Sequence, residues 1–406
     1  IESVKRLQPS TRIVYTQGET HKKRFWDVYD SKRNVSDSEA VKQMDHLLRE
    51  ATENLVERVD GEINVFLSGG FDSVFLTKLI SDATEREINT YTWGWKDKHF
   101  TDAEKMSERL GTNQHSLRLD FGLPTKEDLR YYEEPHNAFV RYPFRELYQN
   151  HGLRSYWTGL NSQATFPVCL KNVRKLDKVR KLKPVVEIAR KARFQKMASK
   201  ANYRLGKGLE VLGDQHHSAG IVNDWGLRND QARNIMSPEL RNSTRDVRKK
   251  LDERWNLEKK SHQENYSYMQ LRARDTARYA YYAQNMEHID VYGYTPLLEY
   301  SYSLPMNQKK NRRLLQKIAK GRVPDEIITK GASGWEFVSE QFKRKITRNR
   351  EEYEKTIESF LERGFLEIKQ GRKLLLRRNY SLTKGPINYM ISVYLLEKWI
   401  QEFIEK

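Results

Sequence analysis

The feature that most constrains how this chain folds is a short apolar run that ends in two consecutive glycines. Residues 63–67 read Ile-Asn-Val-Phe-Leu, a pattern typical of a strand buried in a parallel sheet. Residues 68–73 follow directly with Ser-Gly-Gly-Phe-Asp-Ser, and residues 74–80 have the apolar content of a helix. A glycine-rich turn between a buried strand and a helix is where α/β sheets bind phosphate groups, so we predict a phosphate site at residues 68–73.

The residue types in this loop suit an anion. Gly69 and Gly70 have no Cβ, so the backbone can turn tightly and bring its N–H groups against a phosphate. Ser68 and Ser73 add hydroxyl donors, and the following helix adds the positive end of its dipole. Asp72 is the exception, because a carboxylate beside phosphates needs a cation such as Mg²⁺. The loop matches neither the Walker sequence nor the dinucleotide-binding fingerprint.

Predicted strands and helices alternate through the first half of the chain, and this alternation indicates the fold class. A helix should begin at the capping-box-like residues 36–39 and end before residue 60. Strands are expected at residues 63–67, 88–93, 114–119 and 156–158, with helices at residues 74–80 and 102–110. We therefore predict an α/β fold with a doubly wound, mostly parallel sheet. These flanking elements weaken the alternative that the loop is an ordinary glycine turn in which Asp72 only caps a helix.

Three regions are expected along the chain. Residues 1–35 have room for two strands at most, and residues 36–170 contain the alternating strands and helices of the α/β core. Residues 171–406 begin with a densely basic run and continue with mainly helical patterns. The basic run, residues 171–183, either contacts a polyanion or is a solvated connection.

Composition limits the classes of function. The chain has 73 Lys and Arg against 55 Asp and Glu, a net charge of +18, which favours nucleotides, nucleic acid or an acidic surface as partners, or a solvated basic surface. Its one cysteine, Cys169, excludes an internal disulfide framework and a multi-cysteine zinc site. We see no signal peptide and no apolar run long enough to span a bilayer, so we expect a cytoplasmic protein without membrane partners. Because the chain opens on Ile1, we expect it to be processed or part of a longer protein.

Residues 68–73 resemble the pyrophosphate loop of the N-type ATP pyrophosphatases, which split ATP between its α and β phosphates. Further segments resemble the synthetase domain of the asparagine synthetase family, in that family's order: residues 91–95, 101–104, 110–115, 134–135, 296–299 and 323–330. The resemblance covers about residues 60–340. It implies the HUP-like fold of this superfamily, with ATP and Mg²⁺ as cofactors. The implied reaction adenylates a carboxylate, by default aspartate, so that ammonia or another amine displaces AMP.

The resemblance also implies roles for individual residues. It assigns pyrophosphate binding to four residues of the loop: Ser68, Gly69, Gly70 and Ser73. It makes Asp72 the Mg²⁺ ligand and a catalytic residue, and it places Lys330 over the α-phosphate, where a fixed cation stabilises the charge of the transition state. The adenosine pocket is implied for three residues: Leu67, Trp93 and Gly94.

One segment departs from the family pattern. After the strand at residues 156–158, the family has an acidic loop whose aspartate is a second Mg²⁺ ligand. This chain has Gly-Leu-Asn-Ser-Gln-Ala at residues 159–164, so Gln163 stands where that aspartate is expected and Ala164 where a glutamate follows. Three explanations are open: a changed substrate with one-sided metal binding, lost catalysis, or replacement by another carboxylate, for which the candidates are Glu133, Glu134 and Asp214.

The first 35 residues resemble the final strands of the glutaminase domain that precedes the synthetase domain in this family. An upstream glutaminase domain is therefore an expected partner, although this chain lacks the N-terminal cysteine nucleophile of such a domain. Two alternative functions stay open. One is a tRNA-modifying ATP pyrophosphatase, which would use the basic charge, and the other is a non-catalytic relative of asparagine synthetases.

Overall fold

The computed structural model describes residues 7, 10–26, 33–94, 97–118, 129, 142–159, 162–167, 236–240, 242, 286–330, 335–376 and 384–405. Within these residues, a five-stranded parallel sheet with flanking helices is followed by a largely helical C-terminal region. The predicted α/β fold class is therefore confirmed. No helix in the described part of the chain combines the length and the apolar character needed to cross a membrane.

The strands form a hairpin and a parallel sheet. The hairpin consists of β1 (Thr11–Thr16) and β2 (Glu19–Arg24), as the two-strand limit for this region predicted. The sheet consists of β3 (Ile63–Phe66), β4 (Ile88–Gly94), β5 (Asn113–Arg118), β6 (Ser155–Thr158) and β7 (Glu287–Ile289). Its order is β5-β4-β3-β6-β7, and every neighbouring pair is parallel.

Five helices precede β7 with both ends in the part of the chain that the structure describes. They are α1 (Asp37–Arg58), α2 (Phe71–Ala83), α3 (Lys98–Leu110), α4 (Tyr142–His151) and α5 (Ser162–Thr165). The predicted cap of α1 is confirmed, because the Ser36 hydroxyl accepts a hydrogen bond from the Glu39 backbone N–H at 3.2 Å. The α3 helix begins four residues before its predicted start at residue 102.

Eight further α-helices follow β7 in the described residues. Four of them lie between residues 295 and 328: α6 (Thr295–Ser303), α7 (Met306–Lys309), α8 (Arg313–Ala319) and α9 (Asp325–Ile328). The other four form the C-terminal helical group: α10 (Trp335–Arg348), α11 (Arg350–Glu362), α12 (Ile368–Leu375) and α13 (Lys384–Phe403). Leu314, Leu315, Ile318 and Ala319 are buried in α8, and their spacing places them on one face of the helix.

The main hydrophobic core joins the first half of the chain to residues 286–330. Buried side chains of α1 and α2 pack with Ile289 of β7, Leu297 of α6 and Leu315 of α8. The strand β7 thus comes from beyond residue 170. The boundary that we predicted between residues 170 and 171 stays a prediction. Sequence patterns missed β7, because its three residues, Glu-His-Ile, are too few to show a strand period.

The other face of the sheet carries an aromatic row, with one ring from each strand. Tyr91 stacks on His115 with 4.6 Å between ring centroids, Phe66 stacks on Tyr156 at 4.5 Å, and Tyr156 stacks on His288 at 5.3 Å. Such cross-strand ring pairs fix the register of neighbouring strands. The register in turn places the ends of β3, β4 and β6 side by side.

The strand order creates a switch point between β3 and β6. From β3 the chain builds outwards through β4 and β5, and it then returns to the opposite side of β3 with β6 and β7. In open α/β sheets, ligands bind beyond the carboxyl ends of the strands at such a point. We therefore expect a ligand-binding site at the loops that follow β3 and β6.

A buried carboxylate organises the C-terminal helical group. Glu397 of α13 is fully buried and accepts hydrogen bonds from Arg363 Nη2 at 2.9 Å, Ser359 Oγ at 2.6 Å and Gln401 Nε2 at 2.8 Å. Burial acts to raise the pKa of Glu397, but these hydrogen bonds outweigh it and hold the pKa below its usual range. The network ties α11 to α13.

We expect Glu397→Gln to lower the free energy of unfolding of the C-terminal helices by about 3 kcal/mol, because Arg363 loses its buried partner. Glu405→Gln is the matched control, since Glu405 pairs with the same arginine but is half exposed, and we expect it to cost less than about 1 kcal/mol. Urea unfolding followed by circular dichroism measures both. Equal losses in the two variants would contradict the prediction.

The same network predicts a pH dependence. The folded-state pKa of Glu397 lies below the ordinary value of 4.5, so its stabilisation is complete above that pH. It is lost as the pH falls through the lower folded-state value. Urea midpoints measured across this acidic range should converge for the wild type and Glu397→Gln.

Candidate functional site

The predicted phosphate loop lies at the carboxyl end of β3, beside the switch point. The backbone N–H of Leu67 donates to the Tyr91 carbonyl at 3.0 Å, and the Thr92 hydroxyl donates to the Leu67 carbonyl. These two bonds hold the start of the loop against β4. The loop then turns through Gly69 and Gly70 into α2, which begins at Phe71.

The two serines of the loop bind each other. The Ser68 backbone N–H donates to Ser73 Oγ at 3.1 Å, and the two hydroxyl oxygens lie 3.0 Å apart. Ser73 Oγ also donates to the Gly70 carbonyl at 3.1 Å, which closes a small ring of bonds at the start of α2. The hydroxyls predicted to bind pyrophosphate are therefore already held in one place, as a preorganised anion site requires.

Two glycines allow other chain segments to approach the loop closely. Gly69 has φ +66°, and a Cβ there would lie 2.6 Å from Asp102 Cβ and 2.8 Å from Ala103 N. Gly159, which follows β6, would place a Cβ 2.9 Å from Ser73 N. Both positions exclude any larger residue, so the loop is packed between α3 on one side and the segment after β6 on the other.

Asp72 faces a buried arginine that sequence patterns did not single out. Arg312 Nη2 lies 2.9 Å from Asp72 Oδ2, and the two side chains are only 7% and 17% exposed. Asn311 and Arg312 have φ of 59° and 60°, a left-handed conformation that costs a non-glycine residue about 1 kcal/mol. The sequence shows only a basic stretch before the apolar stripe of α8, and no local pattern points to this ion pair.

Burial raises the pKa of Asp72, and the positive charge of Arg312 opposes that rise. The Ser162 hydroxyl is close enough to lower the pKa as well. However, among the described residues neither Asp72 Oδ1 nor Ser162 Oγ makes a hydrogen bond of good geometry. One carboxylate oxygen is thus paired with Arg312, and the other is buried with no hydrogen-bond partner among the described residues.

These residues fit Mg²⁺ only as part of a nucleotide complex. Within the described residues, no group of three His, Cys, Asp or Glu side chains is arranged to hold a metal ion. Mg²⁺ needs as little as one carboxylate when phosphates and water supply its other ligands, and Asp72 Oδ1 can be that one. The role of Asp72 as a metal ligand stays a prediction.

The altered second loop lies against Asp72, where the family pattern expects a carboxylate. The Ser162 backbone N–H donates to the Gly159 carbonyl at 3.2 Å, and Gln163 is partly buried at the start of α5. Tyr292 joins this loop to the first one. Its hydroxyl donates to the Asp72 carbonyl at 3.1 Å, and its own carbonyl accepts from Thr165 Oγ1 at 2.6 Å.

Lys330 also reaches the phosphate loop. Its ammonium donates to the Gly69 carbonyl at 3.2 Å and pairs with the Asp102 carboxylate. The position is set by α9, whose Ile327 and Ile328 are buried, and by a hydrogen bond from the Lys330 backbone N–H to the Ile327 carbonyl. Lys330 and Asp102 therefore stand at the mouth of the loop, and Asp102 is a second residue that sequence patterns did not assign.

The residues predicted for the adenosine pocket follow β3 and β4. Leu67 is buried directly after β3, and Trp93 and Gly94 are the last two residues of β4. The Trp93 ring stands edge-on to Phe66, with 4.8 Å between centroids, and also packs against the C-terminal helical group. The structure thus brings these three residues to the same edge of the sheet as the phosphate loop, while their role with adenosine stays a prediction.

Several earlier expectations lie outside the described residues. These are the basic run at residues 171–183 and four individual side chains: Glu133, Glu134, Cys169 and Asp214. Residues 160 and 161 of the altered loop also lie outside them. The choice among substitute carboxylates therefore stays open.

Comparison with known proteins identifies part of this chain. A family model described as asparagine synthase matches residues 43–153. No curated protein matches the chain. The matched segment runs from α1 through the phosphate loop to α4, and it ends before Gly159 and well before Lys330. This match supports the resemblance of the segment to the synthetase domain of the asparagine synthetase family, a family of ATP-dependent amide-forming ligases.

Proposed function

We propose that this chain uses ATP to adenylate a carboxylate, releases pyrophosphate, and forms an amide from the acyl-AMP and an amine. Aspartate with ammonia is the default pair of substrates by family resemblance. The ammonia comes from solution or from a glutaminase domain, of which residues 1–35 stay the predicted end. If the substrate has changed, the altered second loop favours amidation of a carboxylate other than aspartate.

The observation that carries this proposal is the convergence of distant segments on one loop. Residues 68–73, the segment after β6 and Lys330 meet at the carboxyl end of β3. Lys330 is separated from Gly69 by 261 positions, so only the fold brings them together. Convergence of an anion-binding turn, a cation and a switch point is what a nucleotide-cleaving site of this fold requires.

Each part of the site has a task in the proposed reaction. A carboxylate oxygen attacks the α-phosphorus, and the bond between that phosphorus and the bridging oxygen of pyrophosphate breaks. Backbone N–H groups and the hydroxyls of Ser68 and Ser73 hold the departing pyrophosphate. Bound Mg²⁺, held by Asp72, would neutralise charge on the phosphate oxygens.

The second half of the reaction concerns Lys330. The amine nitrogen attacks the acyl carbon, the bond from that carbon to the AMP oxygen breaks, and the nitrogen loses a proton. Lys330 stands at the mouth of the loop, where its ammonium can balance the negative charge that develops on the α-phosphate. Asp102 pairs with this ammonium and holds it beside the loop.

A substitution at Gly69 tests the role of the loop at residues 68–73. We expect carboxylate-dependent release of pyrophosphate from ATP, and we expect Gly69→Ala to lower it by about 100-fold, because a Cβ there meets Asp102. Gly61→Ala is the matched control, since Gly61 also has positive φ but has open space around it. A coupled pyrophosphate assay with a panel of carboxylates, including aspartate, measures both variants.

The outcome distinguishes the open alternatives. Release in the wild type and in Gly61→Ala, but not in Gly69→Ala, supports the ligase and names its carboxylate. ATP binding without release for any carboxylate argues for the non-catalytic relative. Release that depends on tRNA argues for the tRNA-modifying enzyme.

A second prediction concerns Lys330. We expect Lys330→Gln to lower kcat by about 100-fold with little change in the KM for ATP, because its charge acts mainly in the transition state. Lys317→Gln is the control, since Lys317 is also paired with an aspartate, Asp37, but lies away from the loop. A rise in KM with an unchanged kcat would contradict the assigned role.

A further inference from the structure

The charge balance at Asp72 differs from that of a two-carboxylate metal site. Gln163 supplies no charge, and the one carboxylate of the phosphate loop already has a cationic neighbour, Arg312, at 2.9 Å. The pair is largely shielded from water. Arg312 thus supplies a positive charge beside Asp72. A second carboxylate at this place would instead require a metal ion to balance its charge.

The backbone fixes Arg312 in this place. The Arg312 N–H donates to the Pro167 carbonyl at 3.3 Å, which links it to the chain just beyond α5. Asn311 and Arg312 both have left-handed backbone conformations immediately before α8. Non-glycine residues keep such conformations only where the surrounding structure holds them, and these sites are often functional.

The Arg312 guanidinium retains donors that the described residues do not use. Among the described residues, Arg312 Nε and Nη2 make no hydrogen bond of good geometry, although Nη2 is within ion-pair distance of Asp72. The side chain is 93% buried, so these donors do not face bulk water. A planar guanidinium with unused N–H groups is well suited to bind a phosphate oxygen.

We propose that Arg312 balances the charge of Asp72 and donates a hydrogen bond to a phosphate oxygen, so that pyrophosphate binds at the phosphate loop with or without Mg²⁺. This inference rests on the proposed function, since it takes residues 68–73 as the pyrophosphate site. It assigns to the Arg312 side chain the positive charge that a second metal-binding carboxylate at position 163 would otherwise help to hold.

Pyrophosphate binding to the full chain tests the proposal by isothermal titration calorimetry, with EDTA or with Mg²⁺. We expect the Kd for pyrophosphate in EDTA to be within about threefold of the Kd with Mg²⁺, because Arg312 already supplies positive charge at the loop. Arg312→Gln should weaken binding in EDTA by about tenfold or more. Arg313→Gln is the control, since its neighbouring guanidinium pairs with Asp37 and is half exposed, and its Kd should match the wild type.

Asp72→Asn tests whether Arg312 or Mg²⁺ is the cation that binds pyrophosphate. This test is informative even if Arg312→Gln does not fold. If Arg312 is the phosphate-binding cation, Asp72→Asn releases it from its ion pair and binds pyrophosphate in EDTA at least as tightly as the wild type. Loss of binding in this variant, or wild-type binding that requires Mg²⁺, would overturn the proposal. Because the assay needs no turnover, Mg²⁺-independent binding without carboxylate-dependent release would sink the proposed ligase and leave this inference standing.

Discussion

The close approach of chain segments around Gly69 and Gly159 is the constraint on which the rest of the site depends. At each glycine a Cβ would lie less than 3 Å from backbone atoms of a neighbouring segment, so α3 and the segment after β6 both press against the same loop. This contact places Asp102 near Lys330 and Ser162 near Asp72. A larger residue at either glycine would separate these groups.

The ion pair between Asp72 and Arg312 gives this site its particular character. A buried carboxylate without a partner is costly, and the neighbouring arginine offsets that cost at the price of a left-handed backbone at two residues. Tyr292 completes the arrangement, because its hydroxyl holds the Asp72 carbonyl and its own carbonyl holds Thr165. Residues 286–330 are therefore part of the site as well as part of the core.

The ligase proposal and the arginine proposal explain different observations. The convergence on residues 68–73 accounts for why a nucleotide would be cleaved at this edge of the sheet. The buried guanidinium accounts for how the loop tolerates Gln163 in place of a carboxylate. Mg²⁺ delivered with ATP is compatible with both, because Asp72 Oδ1 makes no good hydrogen bond among the described residues.

The sequence by itself determined the α/β class, the strands β3 to β6, the glycine-rich turn after β3 and the resemblance of residues 43–153 to asparagine synthases, because buried strands, capping signals and such turns are local patterns. Tertiary structure decided what surrounds that loop. The strand β7, the ion pair of Asp72 with Arg312 and the pairing of Lys330 with Asp102 join residues that are more than a hundred positions apart. No periodicity or short motif records such contacts, since they depend on how the sheet orders its strands and on which segments pack against its carboxyl edge.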